Sequence, residues 1–181
     1  MKKLVKEVVI QGGYFCLGLV FFHLLFAFVI RPATVEGSSM YPSLSDGDQL
    51  ILWQLDQEFD LFDVVVFPVG ENYWVKRVIG LPGQQVQISG HDLYIDGELV
   101  AQPFLAQGGS LDLSSFTQED ICPINGLTDC PVIPQGFYLV LGDNRNNSSD
   151  SRHIGLISKE EIVGRAIMRF YPFNAIRLMN E

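Results

Sequence analysis

Tyr73-Trp74-Val75-Lys76-Arg77-Val78-Ile79-Gly80, closed by Leu81-Pro82-Gly83, places two cations inside an otherwise apolar run. Its β-branched and aromatic residues and the Pro-Gly stop predict a strand over Tyr73–Leu81. Side chains alternate along a strand, so Lys76 shares a face with Trp74 and Val78 while Arg77 takes the other. A lysine on a strand is ordinarily solvated. Desolvation changes that: lowering its pKa from about 10.4 to about 8 costs roughly 3.3 kcal/mol, a shift that burial against apolar neighbours can supply. Arginine has no such route, because its guanidinium stays charged. The strand therefore offers one candidate base.

Working outward, the chain reads as short strands punctuated by turns. Strands are predicted at Gln49–Leu55, at Asp63–Phe67 before Pro68, and at Val86–Ile88. Leu93–Ile95 and Leu99–Val100 form a hairpin about Asp96-Gly97. Further strands are expected at Phe137–Leu141 and Val163–Tyr171, with Ile157–Ile162 a short helical or turn link. Residues 101–134, rich in Pro and Gly, read as an irregular insertion with one short helix near Ser114–Ile121. The fold class is mostly β.

The N-terminus is different in kind. Val8 to Ile30 is an apolar run broken only by Gln11, glycines and His23, long enough to cross about 30 Å of hydrocarbon. Lys2, Lys3 and Lys6 precede it and Arg31 follows, so the positive-inside rule leaves residues 1–7 in the cytoplasm and 31–181 outside. A cleaved signal peptide would show a shorter apolar core and a small-residue cleavage site; a retained single-pass anchor over 8–30 is the better fit. Ser39 lies nine residues past Ile30, within at most about 30 Å of the outer membrane surface.

The chain has 181 residues and a net charge of -9, with a mean hydropathy of +0.20. Its first 31 residues carry four cations against Glu7, a charge of +3, so the remainder carries -12. A domain that acidic repels phosphate backbones and excludes nucleic acid as a partner. Cys16 falls in the apolar run. Cys122 and Cys130 flank a short polar stretch, and in an oxidising compartment they would close a small disulfide loop. No ligand spacing suggests a metal, and no cofactor is implied.

Two polar segments supply possible partners for Lys76. In Val35-Glu36-Gly37-Ser38-Ser39-Met40-Tyr41-Pro42-Ser43-Leu44, Gly37 permits a bend and Pro42 stiffens the exit, so Ser38 or Ser39 is presented there. Such a run is also an ordinary turn. Gly142-Asp143-Asn144-Arg145-Asn146-Asn147-Ser148-Ser149-Asp150-Ser151-Arg152-His153-Ile154-Gly155 is the densest polar run in the chain. Asp143, Arg145, Asp150 and Arg152 suggest ion pairs internal to that loop; the bland alternative is a solvated loop with Asx-turns.

In order, Gly37-x-Ser39-Met40-x-Pro42-x-Leu44, Lys76 through Gly83, and Gly142-Asp143-Asn144-Arg145…Ser148-x-Asp150-Ser151-Arg152…Gly155 resemble the boxes of bacterial type I signal peptidases, of the small Gram-positive type. With the anchor and Asp60–Phe67, the resemblance covers most of the chain except 101–134. It implies a compact catalytic domain of antiparallel sheets and a membrane-anchored serine endopeptidase that removes signal peptides from exported preproteins beside the secretion translocon. It implies Ser39 as nucleophile, Lys76 as general base, Ser148 as the hydroxyl orienting the lysine, and Asp150 with Arg152 as a structural ion pair, with Asp143 and Arg145 in support. Some members carry a serine two positions before the nucleophile as an oxyanion donor. Here that position is Gly37, which leaves the Ser39 N–H with Ser38 as candidate donors. Substrates with small residues at the first and third positions before the cut would need shallow apolar pockets, for which Met40, Val78 and Ile79 are candidates.

Two other readings compete. A Ser/His hydrolase would use His153 with Asp150, since His23 is in the anchor and His91 in a turn. A non-catalytic anchored β domain would explain the strands but not the combination of Ser39, Lys76 and Ser148. Self-cleaving repressors share a Ser/Lys dyad but carry a DNA-binding domain in place of an anchor.

Overall fold

The computed structural model describes residues 2–55, 58–105, 116–126 and 130–179. Helix α1 (Lys2–Phe28) opens the chain. Within it Val5–Phe28 has a mean hydropathy of 1.9, and none of its most apolar stretch is buried within the protein. It is the one described helix long and apolar enough to cross a bilayer. The helix stops at Phe28, short of the Ile30 expected from hydropathy, because the chain enters strand β1 (Ile30–Thr34). Pro32 hides this strand in the sequence. It is tolerated because β1 is an edge strand paired only with β2 (Gln49–Trp53), Pro32 lying opposite Ile51.

Strands β3 (Val64–Val69) and β4 (Asn72–Gly80) form a hairpin around Gly70-Glu71. Pro68 sits near its tip, opposite Tyr73, so β3 runs past the proline at which the sequence seemed to end it. Next come β5 (Val86–Ser89), β6 (Asp92–Ile95) and β7 (Glu98–Val100), then the short β8 (Phe116–Thr117) and helix α2 (Gln118–Ile121). The expected helix near Ser114–Ile121 is thus helical only from Gln118, and Ser114 lies outside the described residues. The chain continues through β9 (Phe137–Leu141), helix α3 (Ser151–Ile154), β10 (Ile157–Ser158), β11 (Gly164–Tyr171) and β12 (Arg177–Leu178).

All described strand pairs are antiparallel. The larger sheet runs β1-β2-β11-β3-β4-β9-β10, with β12 also on β11; the smaller runs β7-β6-β5-β8. Strand β4 joins three apolar clusters. Val75 packs with Val35, Met40, Leu44 and Leu52; Val78 packs with Phe59, Phe67 and Val140; Ile79 packs with Val86, Ile133 and Leu139. The third cluster carries the smaller sheet. At Gly80 a Cβ would run into Ile133 and Val86, so the two sheets meet there only because the side chain is missing.

Cys122 and Cys130 are joined as a disulfide, and Gln118 fastens that segment to the smaller sheet. Its Oε1 accepts from the Val86 N–H at 2.8 Å and its Nε2 donates to the Pro131 carbonyl at 2.9 Å. Cys16 lies exposed on α1.

Candidate active site

Past β1 the chain turns sharply at Gly37 (φ +79°), whose N–H donates to Asp46 Oδ1 at 2.7 Å. That left-handed backbone favours glycine. Met40 and Leu44 are then drawn fully into the core, and the Leu44 N–H donates to the Met40 carbonyl. These anchors on both sides leave Ser39 half-buried at the rim of a recess. Its hydroxyl accepts a hydrogen bond from Lys76 Nζ at 2.9 Å. The ammonium also donates to the Val75 carbonyl at 3.0 Å and lies 5.2 Å from the centroid of the Trp74 ring.

Lys76 is 4% exposed and makes no ion pair among the described residues. Burial pushes its pKa down to about 8, against the weaker upward pull of Asp150 and Asp143. Those carboxylates are engaged elsewhere. Asp143 holds Arg77 in a bidentate pair, Nε to Oδ1 at 2.8 Å and Nη2 to Oδ2 at 2.6 Å. Asp150 holds Arg152 the same way, at 2.7 and 2.8 Å, and also accepts from the Gly142 N–H at 3.0 Å. Asp150 caps α3, and Ser151 Oγ accepts from the Val140 N–H, so the polar loop is stitched to the end of β9.

The expected Asp150–Arg152 pair therefore lies within the loop, whereas Asp143 does not pair with Arg145. Asp143 reaches back 66 residues to Arg77. Arg145 donates instead to the Gly142 carbonyl at 3.0 Å and to Gln102 Oε1 at 2.5 Å. Burial lowers its pKa to about 10, which leaves it charged at neutral pH.

Ser148 is placed differently from its expected position on the lysine. Its hydroxyl donates to the Ser149 carbonyl at 3.4 Å, and its side chain sits against the Gly142 α-carbon beside the Ser39 carbonyl, where any Cβ on residue 142 would collide. Two asparagines missed by the sequence reading hold the Ser38-Ser39 segment to this loop. The Asn144 N–H donates to the Ser39 carbonyl at 2.9 Å and its side-chain amide to the Ser38 carbonyl at 3.1 Å. Asn147 Nδ2 donates to Ser38 Oγ at 2.9 Å. Asn at loop positions is a generic turn signal, so nothing in the sequence distinguished this latch. The Ser39 N–H makes no hydrogen bond among the described residues.

The recess beside Ser39 and Lys76 has a volume of about 270 Å³ and is walled by Val35, Glu36, Tyr73, Trp74 and Val75. Met40, Val78 and Ile79, the candidate pocket residues, are each fully buried in the apolar clusters and do not line it. Their hydrophobicity is used for packing. A wider cavity of about 570 Å³ lies near Arg77, Phe62 and Phe104 and touches neither Ser39 nor Lys76. One wall of the smaller recess is open backbone. Phe62 donates to the Val78 carbonyl and Val78 to the Asp63 carbonyl, so Val78 turns its polar groups toward the β3 side. The two-residue period turns those of Tyr73 and Val75 the other way, where β9 pairs β4 only from Arg77 onward.

His153 is exposed and borders a separate polar recess that also reaches Ser39. Both oxygens of Asp150 are taken by Arg152 and the Gly142 N–H, so the described geometry gives His153 no carboxylate to orient it. Among the described residues no cluster of His, Cys, Asp or Glu could hold a metal ion.

A family model described as signal peptidase, peptidase S26, matches residues 6–171. Signal peptidase IB of Staphylococcus aureus (strain COL) is 36% identical over 98% of this chain and 95% of its own length. Signal peptidase I S of Bacillus subtilis (strain 168) is 37% identical over 84% of this chain and 83% of its own. A solved signal peptidase I from Enterococcus faecalis V583 aligns at 30% identity with a TM-score of 0.49, over 60% of this chain and 96% of that one.

Proposed function

Since the chain belongs to the signal peptidase family, peptidase S26, we propose that it is a serine endopeptidase removing signal peptides from exported preproteins, with Ser39 as nucleophile and Lys76 as general base. The observation that carries the dyad is the 2.9 Å hydrogen bond from Lys76 Nζ to Ser39 Oγ, made by a lysine held near pKa 8. At pH 7 that pKa leaves about 10% of the amine neutral, against roughly 0.04% for an unperturbed lysine. The neutral amine takes the Ser39 proton as Oγ attacks the scissile carbonyl. The resulting ammonium gives that proton to the departing amine, and an acyl-enzyme remains on Ser39. A water deprotonated by Lys76 then hydrolyses the ester.

The unused Ser39 N–H is the first donor to the oxyanion. Ser38 is the second candidate, since accepting from Asn147 leaves its own hydroxyl proton free. A substrate strand would lie along the open Tyr73–Val75 edge, which offers backbone hydrogen bonds to any sequence. Val35, Val75 and Trp74 provide the apolar wall that small side chains before the cut would meet.

The helix α1 anchors the domain in the bilayer, with Lys2, Lys3 and Lys6 in the cytoplasm and the catalytic domain outside. There it meets precursors as they leave the translocon. Purified wild-type, Ser39→Ala and Lys76→Ala proteins incubated with one labelled preprotein test the reading. Wild type should cut once, at the signal junction, and neither variant should cut. Full cleavage by Lys76→Ala would sink the dyad. External protease on protoplasts should digest the domain; its protection would reverse the topology.

A further inference from the structure

Three recesses share their borders and make one groove. Glu36, Asn72 and Tyr73 border both the dyad recess and a recess of about 300 Å³ beside Arg31, Pro32 and Ala33. Glu36, Ser39 and Ser149 border both the dyad recess and a polar recess of about 570 Å³ near His153. The groove therefore starts next to the end of α1, follows β1, passes the dyad, and opens at the far side on His153. Its two ends differ in chemistry. The anchor end mixes Leu52, Val66 and Val163 with Arg31, Glu71 and Asn72 in its walls. The far end is lined by Gly37, Ser38, Asn146, Asn147, Ser148 and His153 with no aliphatic side chain.

A precursor held by an apolar segment in the same bilayer as α1 must enter from the anchor end. The residues before the cut then fill the near recess, and those after it fall beyond Ser39. We propose that the far recess is the subsite for the first residues of the mature chain, and that His153 sets which side-chain charge is accepted there. This rests on the peptidase reading above. The occupant is an extended, polar peptide segment. The imidazole bears no negative charge and has a ring N–H to donate, so it favours a carboxylate over an ammonium group in that segment. Glu36 borders all three recesses and acts on both sides of the cut. His153 borders only the far one among these recesses.

The test uses full-length wild type, His153→Glu and His153→Lys in detergent. Paired precursors carry Glu or Lys at one of the first three mature positions or, as control, at the fifth residue before the cut. Because His153 is exposed, both substitutions leave the core untouched. Charges about 6 Å apart in water interact by enough to shift a rate roughly threefold, more where solvent is partly excluded. At one mature position the Glu/Lys ratio of kcat/KM should exceed one for wild type. It should rise about three- to tenfold in His153→Lys and invert in His153→Glu, with the control position moving less than twofold. A ratio that stays put at all three mature positions, or moves equally at the control, overturns the subsite alone. Failure of wild type to cut any precursor overturns the peptidase reading and the subsite with it.

Discussion

Lys76 and Arg77 are neighbours on β4, both buried, at 4% and 6% exposure, yet they meet opposite treatment. Arg77 has a carboxylate on two of its nitrogens, the Phe62 carbonyl at 2.8 Å and the Phe104 ring at 4.3 Å. The contact carboxylate compensates that positive charge directly. Lys76 has a hydroxyl, one carbonyl and an indole ring. Nothing in contact with it neutralises a charge, and the nearby carboxylates are held by arginines. Burial by itself would not make Lys76 the base proposed for it. What would make it one is burial together with the withholding of a contact carboxylate, and alternation along a strand lets adjacent residues receive the two environments.

The largest effect should come from the lysine face. Ser39→Ala and Lys76→Ala should each lower kcat by about 10⁴-fold or more, and the double variant should be no worse, because the two act as one unit. Lys76→Arg should be equally dead, since it installs the cation of the neighbouring position where a neutral amine is required. Additive losses in the double variant, read by single-turnover cleavage, would break the comparison by showing that the residues act separately.

On the arginine face the loss should be one of stability. Asp143→Ala or Arg77→Ala leaves a buried charge without its partner, which costs about 3–5 kcal/mol. Replacing both by apolar residues, Arg77→Met with Asp143→Leu, should recover most of that in denaturant unfolding. A pair whose loss left unfolding unchanged would show that Arg77 is solvated and that the two faces are alike.

Next comes the pH dependence of the lysine itself. In the unfolded chain its pKa is about 10.5, and in the fold it is about 8. Below pH 8 both states hold the proton and the burial penalty is fully present, on the order of 3 kcal/mol from the size of the shift. Between 8 and 10.5 the unfolded state binds more protons than the folded one, so stability from this group rises with pH. Lys76→Met should therefore be more stable than wild type at pH 7, and the advantage should shrink as pH approaches 10.5. The rate of cleavage should climb over the same lower limb, with an apparent pKa near 8. A difference in stability that did not vary with pH would mean that Lys76 is paired after all.

Much of this could be seen in the sequence because it was local. The long apolar N-terminal helix, the β4 strand with its alternation, and the order of the polar segments each depend on a few adjacent residues. What stayed hidden was long-range or had a generic signal. The Arg77–Asp143 pair spans 66 residues, and a charged loop with both signs looks self-sufficient until a strand from elsewhere supplies the arginine. Strand β1 was hidden by Pro32, which only its place at the sheet edge permits. The pocket walls went wrong at Met40, Val78 and Ile79 because apolar residues next to a candidate catalytic residue are as readily core as cleft. Burial decides between those roles, and burial depends on which elements pack together.

The smallest expected effect concerns Ser148, where the resemblance and the geometry pull apart. The resemblance makes it the hydroxyl that orients the lysine. Here the Lys76 amine is already fixed by Ser39 Oγ and the Val75 carbonyl, while Ser148 bonds its own loop. Its side chain instead fills the space over Gly142 and against the Ser39 carbonyl. Removing the hydroxyl then disturbs how the nucleophile segment seats on the loop, but it takes away no bond to Nζ and no desolvation. Ser148→Ala should lower kcat about tenfold, near 1.4 kcal/mol of barrier, and leave the apparent pKa of the rate profile at about 8. Gly142→Ala, which drives a methyl group into Ser148 and the Ser39 carbonyl, should be worse than Ser148→Ala. A Ser148→Ala enzyme whose pKa moved by a unit or more would place the hydroxyl on the lysine during turnover, and the resemblance would then describe the working site better than the resting contacts do.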